Sequence, residues 1–126
     1  GELLLLVDDD PIIREVVTSV LESSGYQVIS ASNGAEAIVT YSQSKDQVKV
    51  VLLDMVMPIM DGRKTLQALR SIDPHLPIIL CSGMVSLKPD VDNLESAHTG
   101  PDAFLQKPYS AESLFAALAK ALVKSK

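Results

Sequence analysis

Residues 50–62 read VVLLDMVMPIMDG. Four apolar residues, Val50 to Leu53, run without a polar break into one carboxylate, Asp54. A continuous apolar run bounded by a turn signal predicts a strand buried on both faces, the pattern of a parallel sheet. Asp54 then falls at the carboxyl end of that strand. Ligands and chemistry gather along that edge of an open α/β sheet, because loops leave the strands there and helix N-termini point toward it. Pro58 and the Asp61-Gly62 pair predict a sharp turn followed by a helix.

The same rhythm extends toward the N-terminus. Leu3 to Val7 is another all-apolar run, and it ends in Asp8, Asp9 and Asp10. Pro11 suits the first helical position, and Asp10 is placed to cap that helix. Ile12, Ile13, Val16, Val17, Val20 and Leu21 recur at helical spacing until Gly25 supplies a stop. A shorter strand follows over Gln27 to Ser32. Asn33-Gly34 then turns the chain into a helix with Ala37, Ile38 and Tyr41 on one face, and Asn33 and Glu36 have capping-box spacing.

Beyond Gly62 the pattern predicts a helix with Leu66, Leu69 and Ile72 inward and Arg63, Lys64 and Arg70 in water, ended by Asp73-Pro74. Ile78 to Cys81 is a fourth apolar run, closed by Ser82-Gly83. Residues 84–101 carry Pro89, Gly100 and Pro101 and only a weak stripe of Val91, Leu94 and Ala97, which predicts a short, irregular helix. Ala103 to Gln106 forms a brief fifth strand before Lys107-Pro108. Ser110 caps a last helix with Leu114, Phe115, Leu118 and Leu122, and Lys120 and Lys124 lie toward its C-terminal end, where the dipole favours cations. Five strands alternating with helices make an α/β fold with a mainly parallel sheet.

Composition bounds what such a chain does. Its 126 residues suit one domain, and 47% apolar with 21% charged residues places it among globular proteins. No apolar run has the length of a membrane span, and the N-terminus lacks a signal peptide's charge pattern, so a cytoplasmic location is expected. Gly1 in place of an initiator Met suggests a trimmed chain or a module cut from a longer protein. A net charge of −5 argues against nucleic acid or an anionic membrane as a direct partner. The single cysteine, Cys81, lies in an apolar run and reads as a small buried hydrophobe. His75 and His98 lack metal-ligand spacing and read as surface residues.

The polar residues at the strand ends form a constellation. Asp8, Asp9, Asp54, Ser82 and Lys107 each follow an apolar strand, so in a parallel sheet they share one edge. Clustered carboxylates repel one another unless a cation neutralises them. An all-oxygen site with few protein ligands suits Mg2+, which keeps several of its waters. A metal, a lysine and a free carboxylate are the equipment for receiving a phosphoryl group. A single strand-end Asp is ordinarily a turn residue. Only the convergence raises Asp54 above that reading.

Four motifs, VDDDP at 7–11, DMVMPIMDG from Asp54, LCSG at 80–83 and LQKP at 105–108, stand in order at strand ends. With them the chain resembles, over essentially its whole length, the response-regulator receiver domain of two-component signalling, including receivers attached to hybrid histidine kinases. The resemblance implies a flavodoxin-like, doubly wound five-stranded parallel sheet of order 2-1-3-4-5 forming a single receiver domain over residues 1–126. It implies Asp54 as phosphoacceptor, and Asp8, Asp9, Asp54 and the main-chain carbonyl of Val56 as the site of Mg2+ or Mn2+. Ser82 and Lys107 would contact the phosphoryl group, Ser82 and Phe104 would form the switch, and the Lys107-Pro108 bond would be cis. The donor would be a histidine kinase or a histidine phosphotransfer protein. Apolar Val56 and Met84, each two residues past a site residue, imply slow self-dephosphorylation.

Two other functions compete. A pseudo-receiver would keep the fold as an unphosphorylated interaction module, against which the intact Asp9, Asp54 and Lys107 set argues. An aspartate-nucleophile phosphohydrolase would use Asp8 and Asp10, but that class needs a larger chain and further acids on a later strand.

Overall fold

Apolar runs become strands here because each is too short for a helix of useful length and is closed by a turn signal. The computed structural model describes residues 2–55, 62–82, 102–106 and 110–124. In chain order these form β1 (Leu3–Val7), α1 (Pro11–Ser23), β2 (Gln27–Ala31), α2 (Gly34–Ser44), β3 (Val48–Asp54), α3 (Gly62–Ile72), β4 (Ile78–Ser82), β5 (Ala103–Gln106) and α4 (Ala111–Lys124). All five strands are parallel, in the order β2-β1-β3-β4-β5. This is the doubly wound order implied by the resemblance. The predicted irregular helix over residues 84–101 lies outside the described residues.

Strand alternation splits the core into two layers, one on each side of the sheet. Leu5, Val7, Val51, Leu53, Ile78 and Leu80 meet α2 and α3 through Ala37, Tyr41, Leu66 and Leu69. Leu4, Leu6, Val50, Leu52, Ile79 and Leu105 meet α1 and α4 through Val17, Leu21, Leu114 and Leu118. The helix boundaries follow from caps. Asp10 Oδ1 accepts the Ile12 N–H at 2.9 Å, and Asn33 Oδ1 accepts the Glu36 N–H at 2.8 Å. Glu36 Oε1 in turn accepts the N–H of Ser32 at 3.0 Å, a capping box displaced by one residue. Ser110 Oγ accepts the Ser113 N–H at 3.1 Å. Gly25, with φ +96°, ends α1 in the left-handed region.

Two helix faces differ from expectation. On α3, Arg70 is only 7% exposed while Ile72 is 37% exposed, the reverse of the predicted assignment. The helical period puts residue 70 inward, one turn beyond Leu66, and its guanidinium is matched there by Asp102 at 2.9 Å. On α1 the apolar residues are too many for one face. Val17 and Leu21 are buried, whereas Ile12 and Val16 are 71% and 56% exposed.

Tyr41 ties α2 to the end of α3, its hydroxyl donating to Asp73 Oδ2 at 3.1 Å. Burial, with the Asp73 carboxylate beside it, pushes the phenol from its ordinary 10.0 up to about 12. Between those values the folded state holds the proton that the unfolded state has lost, so stability falls as pH rises through that window. Tyr41→Phe is expected to cost about 1 kcal/mol near neutrality through the lost hydrogen bond. It is also expected to flatten the alkaline fall. Urea unfolding of both proteins across that range measures the difference, and parallel curves would refute it.

Candidate functional site

β1 and β3 are neighbours, with Val7 opposite Leu53. One step further along both strands, Asp8 comes beside Asp54, on the sheet face that carries Leu6 and Leu52. Asp8 and Asp54 are 2% and 5% exposed, and Asp9, in the turn, faces solvent. One carboxylate oxygen from each of the three lies within 4.8 Å of the other two. The sequence-predicted acids therefore converge.

Hydrogen bonds hold the turn that presents two of them. The Asp8 N–H donates to the Ala31 carbonyl at 3.2 Å, and Asp8 Oδ1 accepts the Asp10 N–H at 2.9 Å. Arg14 reaches back from α1, its Nη1 donating to the Asp8 main-chain oxygen at 2.6 Å. The sequence motifs give Arg14 no part. Its position four residues after the Asp10 cap, on the same helix flank, is the available signal.

On the other side of Asp54, the Gly62 N–H donates to the Met55 carbonyl at 2.8 Å. A side chain at Gly62 would overlap the Asp54 carbonyl oxygen and come within 2.6 Å of Met55 Cα. The helix start can approach the strand end this closely only because residue 62 has no Cβ. The sequence marks Asp61-Gly62 as a turn, and the close approach gives Gly62 a second task.

The donor set fits a hard divalent cation. Three carboxylates offer only oxygen, two from buried positions that fix geometry and one at the solvent edge, where a bound cation would keep some of its waters. Without a cation, ionised carboxylates held within 4.8 Å of one another repel. The cluster therefore favours neutralisation.

Further along the edge, Cys81 lies opposite Asp54 in the ladder and is 2% exposed, as a buried hydrophobe would be. Ser82 pairs with Gln106 at the ends of β4 and β5, which brings its backbone to the same edge. Phe104 is 37% exposed. Asp10 acts as the predicted cap, and His75 lies on the surface. The Val56 carbonyl, Asp61, Met84, His98, Lys107 and the Lys107-Pro108 bond lie outside the described residues, as does the side chain of Ser82. Among the described residues, no helix is long and apolar enough to cross a membrane.

A family profile described as "Response regulator receiver domain" matches residues 4–119. The chain belongs to the response-regulator receiver domains. This receiver is 34% identical over 119 residues to the chemotaxis protein CheY of Listeria monocytogenes, covering 94% of this chain and 96% of that protein. It is 34% identical to the CpxR homolog of Haemophilus influenzae, a transcriptional regulatory protein, covering 97% of this chain but 51% of that one. A receiver-domain structure from Clostridium thermocellum superposes with a TM-score of 0.89 at 27% identity, covering 98% of this receiver and 96% of that chain. The CheY of Borrelia burgdorferi, solved in complex with CheX, BeF3 and Mg2+, gives a TM-score of 0.87 at 25% identity, covering 94% and 87%. Receiver domains are signalling modules of two-component systems rather than classical enzymes, and they bind Mg2+ in an acidic pocket.

Proposed function

We propose that this receiver takes a phosphoryl group from a histidine of a partner protein onto Asp54, and that residues 1–126 act as one such module. A carboxylate oxygen of Asp54 bonds to phosphorus as the P–N bond to the donor imidazole breaks, leaving its electron pair on nitrogen. Asp8, Asp9, Asp54 and the Val56 carbonyl would hold Mg2+ or Mn2+, which would supply positive charge for the phosphoryl oxygens. The Lys107 ammonium and the Ser82 hydroxyl contact those oxygens. Ser82 and Phe104 then form the switch, with the half-exposed ring of Phe104 turning inward. The reading is carried by three carboxylates within 4.8 Å of one another in a receiver chain.

Incubation with phosphoramidate and Mg2+, followed by intact-mass measurement, tests it. A gain of one phosphoryl group that chelation by EDTA prevents is expected. No gain would leave the domain an interaction module without phosphorylation.

The donor is a histidine kinase or histidine phosphotransfer protein, free or covalently linked in a hybrid kinase, and the setting is cytoplasmic. The net charge of −5 argues against nucleic acid or an anionic membrane as a direct partner of this domain. The donor's histidine must reach Asp54, so its protein covers the rim of the site. Exposed Ile12 and Val16 lie there, on the first turns of the helix that Asp10 caps. Replacing both with Ser is expected to slow transfer from the protein donor roughly tenfold, as for loss of well-buried interface anchors. Phosphorylation by phosphoramidate is expected to be unchanged. Equal slowing with both donors would show that the site itself was damaged.

A further inference from the structure

β5 has four residues and, among the described residues, lies at the edge of the sheet beside β4. Ala103 and Leu105 face the α1/α4 layer. That pattern forbids a one-residue slip, which would turn both side chains outward. A two-residue slip is different. With Pro101 and Ala103 in the places of Ala103 and Leu105, apolar groups still face inward, and the strand has moved about 7 Å along β4.

Asp102 resolves this ambiguity. Its N–H donates to the Ile78 carbonyl at 2.8 Å, and its Oδ2 accepts the Ile78 N–H at 2.8 Å and Arg70 Nη2 at 2.9 Å. Arg70 also donates from Nη1 to the main-chain oxygens of Leu76 and Pro74. The two side chains are 7% and 2% exposed. A slipped strand would leave a buried guanidinium and carboxylate without this match, at a large cost in uncompensated desolvation.

We infer that Arg70 and Asp102 are positioning residues for phosphoryl transfer: their ion pair sets the register of β5, and so of the strand end from which the chain continues into Lys107. The inference rests on the receiver reading of Lys107 given above. It places two residues that act on the reaction at the opposite end of the strand from the chemistry.

Replacing a buried ion pair by apolar residues is often neutral for stability. Arg70→Met combined with Asp102→Leu therefore removes the register mark without stranding a charge. Phosphorylation by phosphoramidate is followed as a function of Mg2+. The rate at saturating Mg2+ is expected to fall at least about tenfold, the scale of a misplaced catalytic group. The half-saturating Mg2+ concentration is expected to stay within about twofold, because Asp8, Asp9 and Asp54 are distant and intact. A cooperatively melting double variant with the wild-type rate would overturn the inference, as would a rate that falls only in step with Mg2+ affinity. If the double variant does not melt cooperatively, Arg70→Lys, which keeps the charge but loses the fork, is judged by the same criteria. A wild type that takes no phosphoryl group would sink the phosphoacceptor reading and this inference together. An unaffected variant beside a phosphorylated wild type would sink this inference alone.

Discussion

Asp54→Asn is expected to take no phosphoryl group from phosphoramidate and Mg2+, and to melt at a higher temperature than the wild type in metal-free buffer. The first result follows because an amide is a far poorer nucleophile than a carboxylate. The second follows from the cluster, in which three carboxylate oxygens lie within 4.8 Å of one another. Removing one charge relieves its repulsion with each of the other two. Solvent screening, and the favourable interactions that the ionised side chain itself makes, offset most of that. A net gain of about 1 kcal/mol would raise the melting temperature by roughly 3–6 °C for a domain of this size. Saturating Mg2+ should narrow the gap, since the wild type has more to gain from the cation. Intact mass and thermal melts with and without Mg2+ measure both. An unchanged mass gain would remove Asp54 as acceptor, and a lower melting temperature would show that its favourable interactions outweigh the repulsion.

Gly62→Ala sets two effects against each other. Gly62 is the first residue of α3, where helix propensity alone predicts that Ala gains up to about 1 kcal/mol. The added Cβ would overlap the Asp54 carbonyl oxygen and come within 2.6 Å of Met55 Cα. These are backbone atoms, so a rotamer change cannot relieve the overlap. The helix start or the strand end must move, at a cost of roughly 1–3 kcal/mol for an overpacked interior. Overpacking wins, and the variant should melt lower. The displacement falls on the backbone of Asp54, so Mg2+ affinity should fall as well. Calorimetric Mg2+ titration alongside a thermal melt checks both. A higher melting temperature with unchanged Mg2+ binding would disprove the close approach.

Most of the fold was legible because its signals are local. Each apolar run carries its own turn residues, and Asp10, Asn33 and Ser110 cap the helices they were expected to cap. The acids converge because they share one edge, which follows from strand ends and strand order. Arg70 was misplaced for a physical reason. Residue type argued for water, while the helical period argued for the core, and the deciding partner, Asp102, lies 32 residues away. Gly62 was legible as a turn but not as a point of backbone contact, because which atoms a missing Cβ makes room for depends on the packing of α3 against β3. Arg14 was missed because its partner is a main-chain oxygen, which no side-chain motif records.

The two-layer core has a use in engineering. Asp8 and Asp54 continue the strand face that packs against α1 and α4, while Met55 belongs to the layer under α2 and α3. Thermostabilising substitutions can therefore be concentrated among Leu53, Leu66, Leu69 and Leu80, with the sheet as a partition between the altered packing and the acids. The same effort spent on Leu6, Leu52 or Leu105 would alter the floor on which the acids stand.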